Sequence, residues 1–313
     1  MKHQITNHKA EAYGISAILF ASLLWGTTGT ASSFAPSISP LAVGAFSMGV
    51  GGLLLAVVAF RNLARERRLI AANFKILLFG ALALAVYPMA FYSSMRLSGV
   101  AIGTVVSIAS APFFVAALEH LFSKNNQIDR RWVYSLLLGT VGIALLTFAE
   151  PVSQVAEETN YHYLGIALGL IAGLSYALYA WAAKELITHG VSSTSAMGSI
   201  FGCGAMLLLP TLLFTGENLF ATATNTAVVL YMALIPMFIG YVCFGYGLRV
   251  VAASKASLLT LFEPAVAAVF AVIVVGEHIA VSGWVGVLLI MGCLFLQAYK
   301  PAPNKSEANE VTC

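Results

Sequence analysis

The sequence predicts an all-α integral membrane protein with ten transmembrane helices, arranged as two inverted five-helix repeats. Apolar residues make up 59% of the 313 residues and charged residues only 9%, whereas an ordinary soluble domain has roughly 25% charged residues. Long runs with few charges recur along the chain, and a helix needs roughly 20 apolar residues to cross the hydrocarbon core of a bilayer. Lipid is therefore expected to surround most of the chain.

Ten apolar runs lie between the charged segments. The first half of the chain holds the runs 13–34, 41–60, 76–95, 100–122 and 132–149, and the second half holds 163–183, 196–215, 227–248, 256–276 and 279–299. Lipid offers no partner for backbone N–H and C=O groups, so each run is expected to form a helix that satisfies its own hydrogen bonds. The first run is longer than the core of a signal peptide and is expected to be retained.

The positions of Lys and Arg predict the orientation of these helices, because cytoplasmic loops are enriched in both residues. With the N-terminus in the cytoplasm, Arg96 is the only one of the 16 basic residues that falls on the outer side. Both termini are therefore expected to be cytoplasmic. The predicted segments are tails at 1–12 and 300–313, a first repeat at 13–149, an acidic outer linker at 150–162 and a second repeat at 163–299.

The two halves of the chain share a pattern. Proline and tryptophan recur at a spacing of 152 residues, as Pro112 with Pro264 and Trp132 with Trp284, each pair in the equivalent helix of its half. A repeat with an odd number of helices must enter the membrane upside down the second time. Many secondary transporters have such inverted repeats, with the binding site near mid-depth between them.

Short motifs in the first, fourth and ninth helices carry a family resemblance. They are Leu24-Trp25-Gly26, Ser98 to Thr104 followed by Ser110-Ala111-Pro112, and Thr260-Leu261-Phe262-Glu263-Pro264, with Gly276-Glu277 closing the ninth helix. On these residues the chain resembles the EamA-domain family of the drug/metabolite transporter superfamily. Its fourth and ninth helices are most similar to the branch of carboxylate, amino acid and amine transporters. The resemblance implies a ten-helix, two-repeat carrier that exports its substrate.

Glu263 is the carboxylate placed deepest in the predicted membrane core. It follows Lys255 by eight residues, which is about 12 Å of helix in a core about 30 Å thick. Acidic residues inside a membrane usually face a cavity and mark a substrate or proton route. Glu263 is therefore a candidate carrier of a coupling proton or a candidate ligand for a substrate amine. The alternatives are that it satisfies backbone donors near Pro264 or pairs with Lys255 or Arg249.

A polar stripe and a set of aromatic residues complete the candidate binding site. Ser257, Thr260 and Glu263 recur every three residues on one face of the ninth helix. Pro112 and Pro264 are expected to interrupt their helices and to act as hinges that free backbone carbonyls for a ligand. The alternative for each residue is close helix packing or an anchor at the interface. The candidate substrate-binding residues are Trp25, Thr28, Tyr87, Tyr92, Ser107, Ser110, Tyr176, Tyr179, Tyr241, Ser257, Thr260 and Glu263.

Two other features are expected to be structural. Gly165, Gly169 and Gly173 recur every four residues and indicate a close packing face on the sixth helix. Glu119 and Glu277 fall near the ends of their helices, so solvation or a surface salt bridge is expected to account for both.

The sequence argues against several other functions. It has no GxxxxGK[ST] nucleotide loop, its only aspartate is Asp129, and its six histidines lie in tails, loops or helix ends. An ATP-driven pump, a metal site, a bound cofactor or an intramembrane enzyme is therefore not expected. The net charge of +3 gives no reason to expect a nucleic-acid partner. The expected partners are a small-molecule substrate and the lipid bilayer, with the chain acting as a monomer or a homodimer.

The predicted function is secondary transport of small polar metabolites such as amino acids, amines or carboxylates across the cytoplasmic (inner) membrane, with proton coupling through Glu263. The predicted mechanism is alternating access, in which each five-helix half rocks about the central cavity. An exporter of drugs or lipid-like substrates on the same fold is the alternative. A sensor or scaffold is argued against, because the sequence offers no extramembrane domain to relay a signal.

Overall fold

The computed structural model describes residues 2–123, 128–148, 159–276 and 278–298. Within these ranges the chain forms helices and no strands, and ten helices are long and apolar enough to cross a membrane. The predicted all-α fold with ten spans is thereby confirmed. The helices α1 to α10 are Lys9–Ser33, Pro40–Ala72, Phe74–Ser98, Ile102–Phe122, Arg130–Phe148, Tyr161–Thr188, Ser193–Thr215, Ala223–Leu248, Ala253–Val275 and Val281–Ala298.

The helix bounds lie close to the predicted runs except after the second run. α2 continues through the arginine-rich segment 61–68 to Ala72, and only Asn73 separates it from α3. The segment is rich in Arg, Leu, Ala and Glu and has no Gly or Pro, so the helix extends beyond the apolar run. The charges expected between two helices therefore lie on a helical extension. The end of the bundle that holds this extension is called the basic end below.

The two halves of the chain are interleaved. α6, the first helix of the second repeat, packs along α3 and α4 of the first repeat, and α1 packs along α8 and α9 of the second. α2 pairs with α7, and α5 pairs with α10, so the most extensive helix contacts all cross between repeats. The compact groups are α3, α4 and α6 on one side and α1, α8 and α9 on the other. Helices of both sequential halves therefore share each compact group, and the rocking of the five-helix halves stays a prediction.

The helices approach each other most closely at glycine residues, and these close contacts occur at equivalent positions in the two repeats. Gly165 of α6 lies against the end of α3, and a methyl group there would lie 2.5 Å from the backbone nitrogen of Ser98. Gly14, its counterpart in α1, lies against Val250 and Val251 just after α8. Val250 follows Ser98 by the same 152 residues that separate the paired prolines. The repeat seen in the sequence thus recurs in the contacts between helices.

α9 is interrupted near its middle, whereas its repeat partner α4 is not. The helix breaks at Thr260 and Leu261, just ahead of the predicted hinge residue Pro264, and ends before Gly276, which has a φ of 83°. Glycine adopts this left-handed conformation without a steric penalty. α4 continues through Pro112 as one helix, so the interruption expected there is absent.

α8 contains a second irregular stretch, which the sequence analysis did not anticipate. Residues Ala233–Ile239 form a π-helical segment around Pro236, whose nitrogen cannot donate a backbone hydrogen bond. The indole Nε1 of Trp25 in α1 donates to the Pro236 carbonyl at 2.9 Å. This bond ties α1 to α8 across the two repeats.

Replacement of Gly165 by alanine is expected to destabilise the bundle, because the added methyl group would meet backbone atoms of α3. Overpacking of this kind costs about 1–3 kcal/mol. The thermal-unfolding midpoint of the detergent-purified protein should therefore fall in Gly165→Ala. Gly29→Ala is the matched control, since a methyl group there meets no atom within 4 Å. An equal fall in both variants would contradict the packing role of α6.

Candidate functional site

Side chains from α1, α2, α3, α4, α6, α8 and α9 enclose a cavity near the middle of the bundle. This larger chamber has about 90 Å³, and an adjacent smaller chamber of about 30 Å³ lies beside it toward the basic end; together they are called the central cavity. The two chambers share Tyr87, Ile108, Tyr176 and Glu263 in their walls. The cavity therefore lies where the two compact helix groups meet.

Most of the predicted binding residues lie around this cavity. Trp25, Thr28, Tyr87, Tyr92, Tyr176, Tyr179, Tyr241 and Glu263 line the larger chamber, and Ser107, Ser257 and Thr260 line the smaller one. Ser110 is the exception, because its hydroxyl lies against Gly173 of α6 in a close helix contact. The substrate-binding role of the set stays a prediction.

Glu263 is the one charged residue among the described residues that line the two chambers. Within the described part of the chain, its carboxylate has no hydrogen bond or ion pair. Lys255, one of its expected partners, pairs with Glu11 at 2.9 Å. Arg249, the other expected partner, lies over the ring of Tyr246, 5.4 Å from the ring centroid. The two ion pairs considered for Glu263 are therefore not formed.

The break in α9 gives Glu263 a favourable place on the backbone. It lies in the first turn of the helical segment Phe262–Phe270, and its backbone N–H donates to the carbonyl of Thr260 at 3.0 Å. The first turn of a helix presents unpaired N–H groups and the positive end of the helix dipole. This position helps to stabilise a carboxylate that no described side chain neutralises.

The hydroxyl groups of the smaller chamber are oriented by their own helices. Ser107, Ser257 and Thr260 each donate to a backbone carbonyl three or four residues earlier, at 2.7, 2.9 and 2.9 Å. The hydroxyl of Tyr176 lies 3.1 Å from Oγ1 of Thr260, and it is the donor because the Thr260 proton is already donated. Because their protons are already used, these four hydroxyl oxygens can only accept further hydrogen bonds.

An aromatic cluster forms one wall of the larger chamber. Tyr179 and Tyr241 are buried and their hydroxyls lie 2.9 Å apart. The ring of Tyr176 lies 5.1 Å from that of Tyr179, and the ring of Trp25 lies 4.8 Å from that of Tyr241. Such tilted and edge-to-face pairs stabilise each other beyond their buried area. The cluster therefore provides a rigid aromatic surface, and the rings of Tyr176 and Tyr87 extend it toward Glu263.

Glu119 corrects an expectation from the sequence. It was expected to be solvated or in a surface salt bridge, but only 3% of its surface is exposed. Its carboxylate oxygens accept hydrogen bonds from the backbone N–H groups of Ala253 and Ser254 at 2.8 and 3.2 Å. These N–H groups begin α9 and have no partner inside their own helix. A side chain from α4 thus caps the buried start of α9. Glu277, for which the same was expected, lies outside the described residues.

Trp132 binds the same turn of α9 from another side. Its indole Nε1 donates to the carbonyl of Ser254 at 3.1 Å, and its ring is buried. We call Glu119, Trp132, Ala253 and Ser254 the basic-end clasp. It joins α4 and α5 of the first repeat to α9 of the second, through both N–H and C=O groups of one helical turn.

Among the described residues, the opposite end of the bundle has no equivalent of the clasp. The spacing of 152 residues places Ala271 at the position that corresponds to Glu119, and Trp284 at the position that corresponds to Trp132. Alanine cannot accept a hydrogen bond through its side chain, and Trp284 is 40% exposed. The hydrogen-bonded clasp thus closes the basic end, and the corresponding positions at the opposite end do not form it.

A vestibule of about 700 Å³ lies at the basic end. Glu119 is part of its wall, together with a hydrogen-bonded chain in which Trp181 donates to Ser123 and Ser123 donates to Glu185, both at 2.9 Å. The smaller chamber begins one turn further along α9, at Ser257. The clasp therefore stands between the vestibule and the central cavity.

Comparison with known proteins identifies relatives over most of the chain. The model of the EamA-like transporter family matches residues 12–148 and 163–298. The uncharacterized transporter YwfM of Bacillus subtilis is 32% identical over 296 residues, which cover 94% of this chain and 95% of that protein. The uncharacterized inner membrane transporter YicL of Salmonella typhimurium is 20% identical, over 90% of this chain and 94% of that protein. A protein of known crystal structure, 17% identical, has the same fold, with a TM-score of 0.74 over 96% of this chain and 99% of its own.

Proposed function

Because this chain belongs to the EamA-like transporter family, we propose that it is a proton-coupled secondary transporter that exports small polar metabolites across the cytoplasmic membrane. Its substrates are drawn from amino acids, amines and carboxylates. Glu263 supports the proposal most directly, because a carboxylate in a central cavity with no hydrogen bond or ion pair to the described residues is suited to bind a proton or a substrate. The hydroxyl groups beside it favour a polar metabolite over a lipid-like substrate.

The interleaved packing supports alternating access by two helix groups. The group of α1, α8 and α9 moves against the group of α3, α4 and α6, and the cavity between them opens to one end at a time. The basic end faces the cytoplasm, as the distribution of Lys and Arg indicates. Opening to the cytoplasm therefore requires Glu119 and Trp132 to release the first turn of α9.

The repeat indicates which contact replaces the clasp in the opposite state. In that state Trp284 occupies the role that Trp132 has in the clasp. Its Nε1 donates a hydrogen bond to a carbonyl in the first turn of α4, where Ile102 lies. Ala271 supplies no carboxylate to complete this second closure. Among the described residues only the basic end then has a side-chain cap, which favours the state that is closed at this end.

The proposal is tested with the purified protein in vesicles whose interior is acidic. A proton-coupled exchanger should accumulate a radiolabelled substrate from a panel of amino acids, aliphatic amines and short carboxylates, as protons leave the vesicle. The signal is the excess over protein-free vesicles, which take up amines passively. A protonophore should remove this excess. Accumulation of no panel member above the protein-free level would refute the proposed function.

A further inference from the structure

We infer that the central cavity selects compact primary amines among the small metabolites, a narrowing of the substrate class that rests on the proposed function. Three properties of the walls lead to this inference. They are the charge of the cavity, the direction of its hydrogen bonds and the size of the smaller chamber.

The charge of the cavity favours a cation. No described residue in the walls of either chamber is Lys, Arg or His, so a substrate carboxylate would find no cationic partner there. It would also be repelled by Glu263, because like charges interact strongly where little water screens them. Removing an unpaired carboxylate from water costs several kcal/mol in such a site. An ammonium group is attracted by the same arrangement.

The hydrogen bonds of the smaller chamber favour a ligand that donates. The protons of Ser107, Ser257 and Thr260 are used on backbone carbonyls, and that of Tyr176 is used on Thr260. Their oxygens can still accept, and so can the carboxylate of Glu263. A primary ammonium group has three N–H donors for these acceptors, whereas a quaternary ammonium has none. A carboxylate ligand would find the hydroxyl of Tyr87 as a donor in this chamber and would otherwise meet lone pairs.

The smaller chamber has room for an ammonium group and little more. Its volume is about 30 Å³, and one water molecule needs roughly 10–15 Å³ of such space. The chamber therefore has the volume of about two or three water molecules, whereas a trimethylated ammonium group has four heavy atoms, so its entry is disfavoured. The carbon chain of the substrate then lies in the larger chamber of about 90 Å³. The faces of Tyr87 and Tyr176, shared by both chambers, can attract the cation as it passes between them.

The test compares ligands built on one four-carbon chain. Binding of butylamine, norvaline, butyrate, butanol and butyltrimethylammonium to the detergent-purified protein is measured by titration calorimetry at one pH. We expect butylamine to bind at least roughly tenfold more tightly than each of the other four, since only it offers N–H donors without an unpaired carboxylate. Comparable binding of norvaline, butyrate or the quaternary ion would overturn the inference, and so would binding of none of the five.

Two variants tie the preference to the cavity. Glu263→Gln should reduce butylamine binding roughly tenfold or more while leaving the weak binding of butanol unchanged. Thr260→Val should also weaken butylamine binding, because it removes an acceptor and frees the Tyr176 proton. The matched controls are Glu217→Gln, at an exposed carboxylate outside the cavity, and Thr226→Val, at a half-buried threonine outside the cavity. Equal losses in the variants and their controls would place the binding site elsewhere.

The outcome separates this inference from the proposed function. If the vesicles accumulate norvaline or butyrate in response to the pH difference, the proposed function stands and the selection of amines is wrong. If butylamine binds as expected but no probe is transported, the cavity is an amine site and the transport proposal fails.

Discussion

Glu263→Gln should abolish pH-driven substrate accumulation in reconstituted vesicles, reducing it to the level of protein-free vesicles. Glutamine keeps the shape of the side chain but can neither release a proton nor attract an ammonium group. Because no other charged residue among the described ones lines the cavity, no neighbour can take over the task. The effect should be a loss of coupling at every pH tested, because glutamine does not titrate.

The comparison with Glu217→Gln separates coupling from a general effect of lost charge. Glu217 is exposed at the end of the bundle away from the basic end, and its variant should accumulate substrate like the parent protein. The unfolding midpoint of Glu263→Gln should not fall, because its carboxylate has no described hydrogen bond to lose. A Glu263→Gln protein that still responds to the pH difference would refute the coupling role.

Glu119→Ala should shift the protein toward a state that is open at the basic end. The change leaves the N–H groups of Ala253 and Ser254 without their acceptor, and the loss of a helix cap costs about 1–2 kcal/mol. A change of this size corresponds to a shift of roughly 5- to 30-fold in the ratio of closed to open states. Glu119→Gln retains one acceptor oxygen and should have a smaller effect in the same direction.

The shift is measured through a cysteine placed at Ser257, in a protein whose four native cysteines have been replaced. A membrane-impermeant thiol reagent added on the side of the basic end should label this cysteine faster in Glu119→Ala than in the parent. Trp132→Phe should accelerate labelling as well, while Trp284→Phe, which removes an exposed indole, should not. Unchanged labelling in Glu119→Ala would show that the clasp does not hold the basic end closed.

The sequence alone was enough to predict the ten membrane-spanning helices, because every segment that crosses lipid must satisfy its own backbone hydrogen bonds. A run of about 20 apolar residues must be helical, and the chain obeys this rule ten times. The cavity was also foreseeable in part. Ser257, Thr260 and Glu263 recur every three residues and therefore lie on one face of a helix. Their side chains were thus expected to face the same part of the bundle.

The sequence did not reveal the clasp, because a charge near a helix end usually meets water or a counter-ion. The clue was the start of α9, where Ala252 stands at the N-cap position and offers no oxygen to cap the helix. An acceptor from another helix was therefore needed, but its identity depends on which helices are neighbours. The contact of Ser110 with Gly173 was not foreseen for the same reason, since only the packing of α6 decides whether a small residue faces a cavity or a neighbouring helix.

The interleaving of the repeats sets a condition on biosynthesis. The first five helices enter the membrane before the second half of the chain has been made. At that stage α1 lacks its packing partners α8 and α9, and α3 and α4 lack α6. Close contacts such as that between Gly165 and Ser98 then form only after the ribosome has delivered the second half. Tertiary folding of the first half is therefore completed late. A nascent chain stalled between the repeats would expose its glycine-lined packing faces to the bilayer and to quality-control proteases, because the helices that normally cover them are missing.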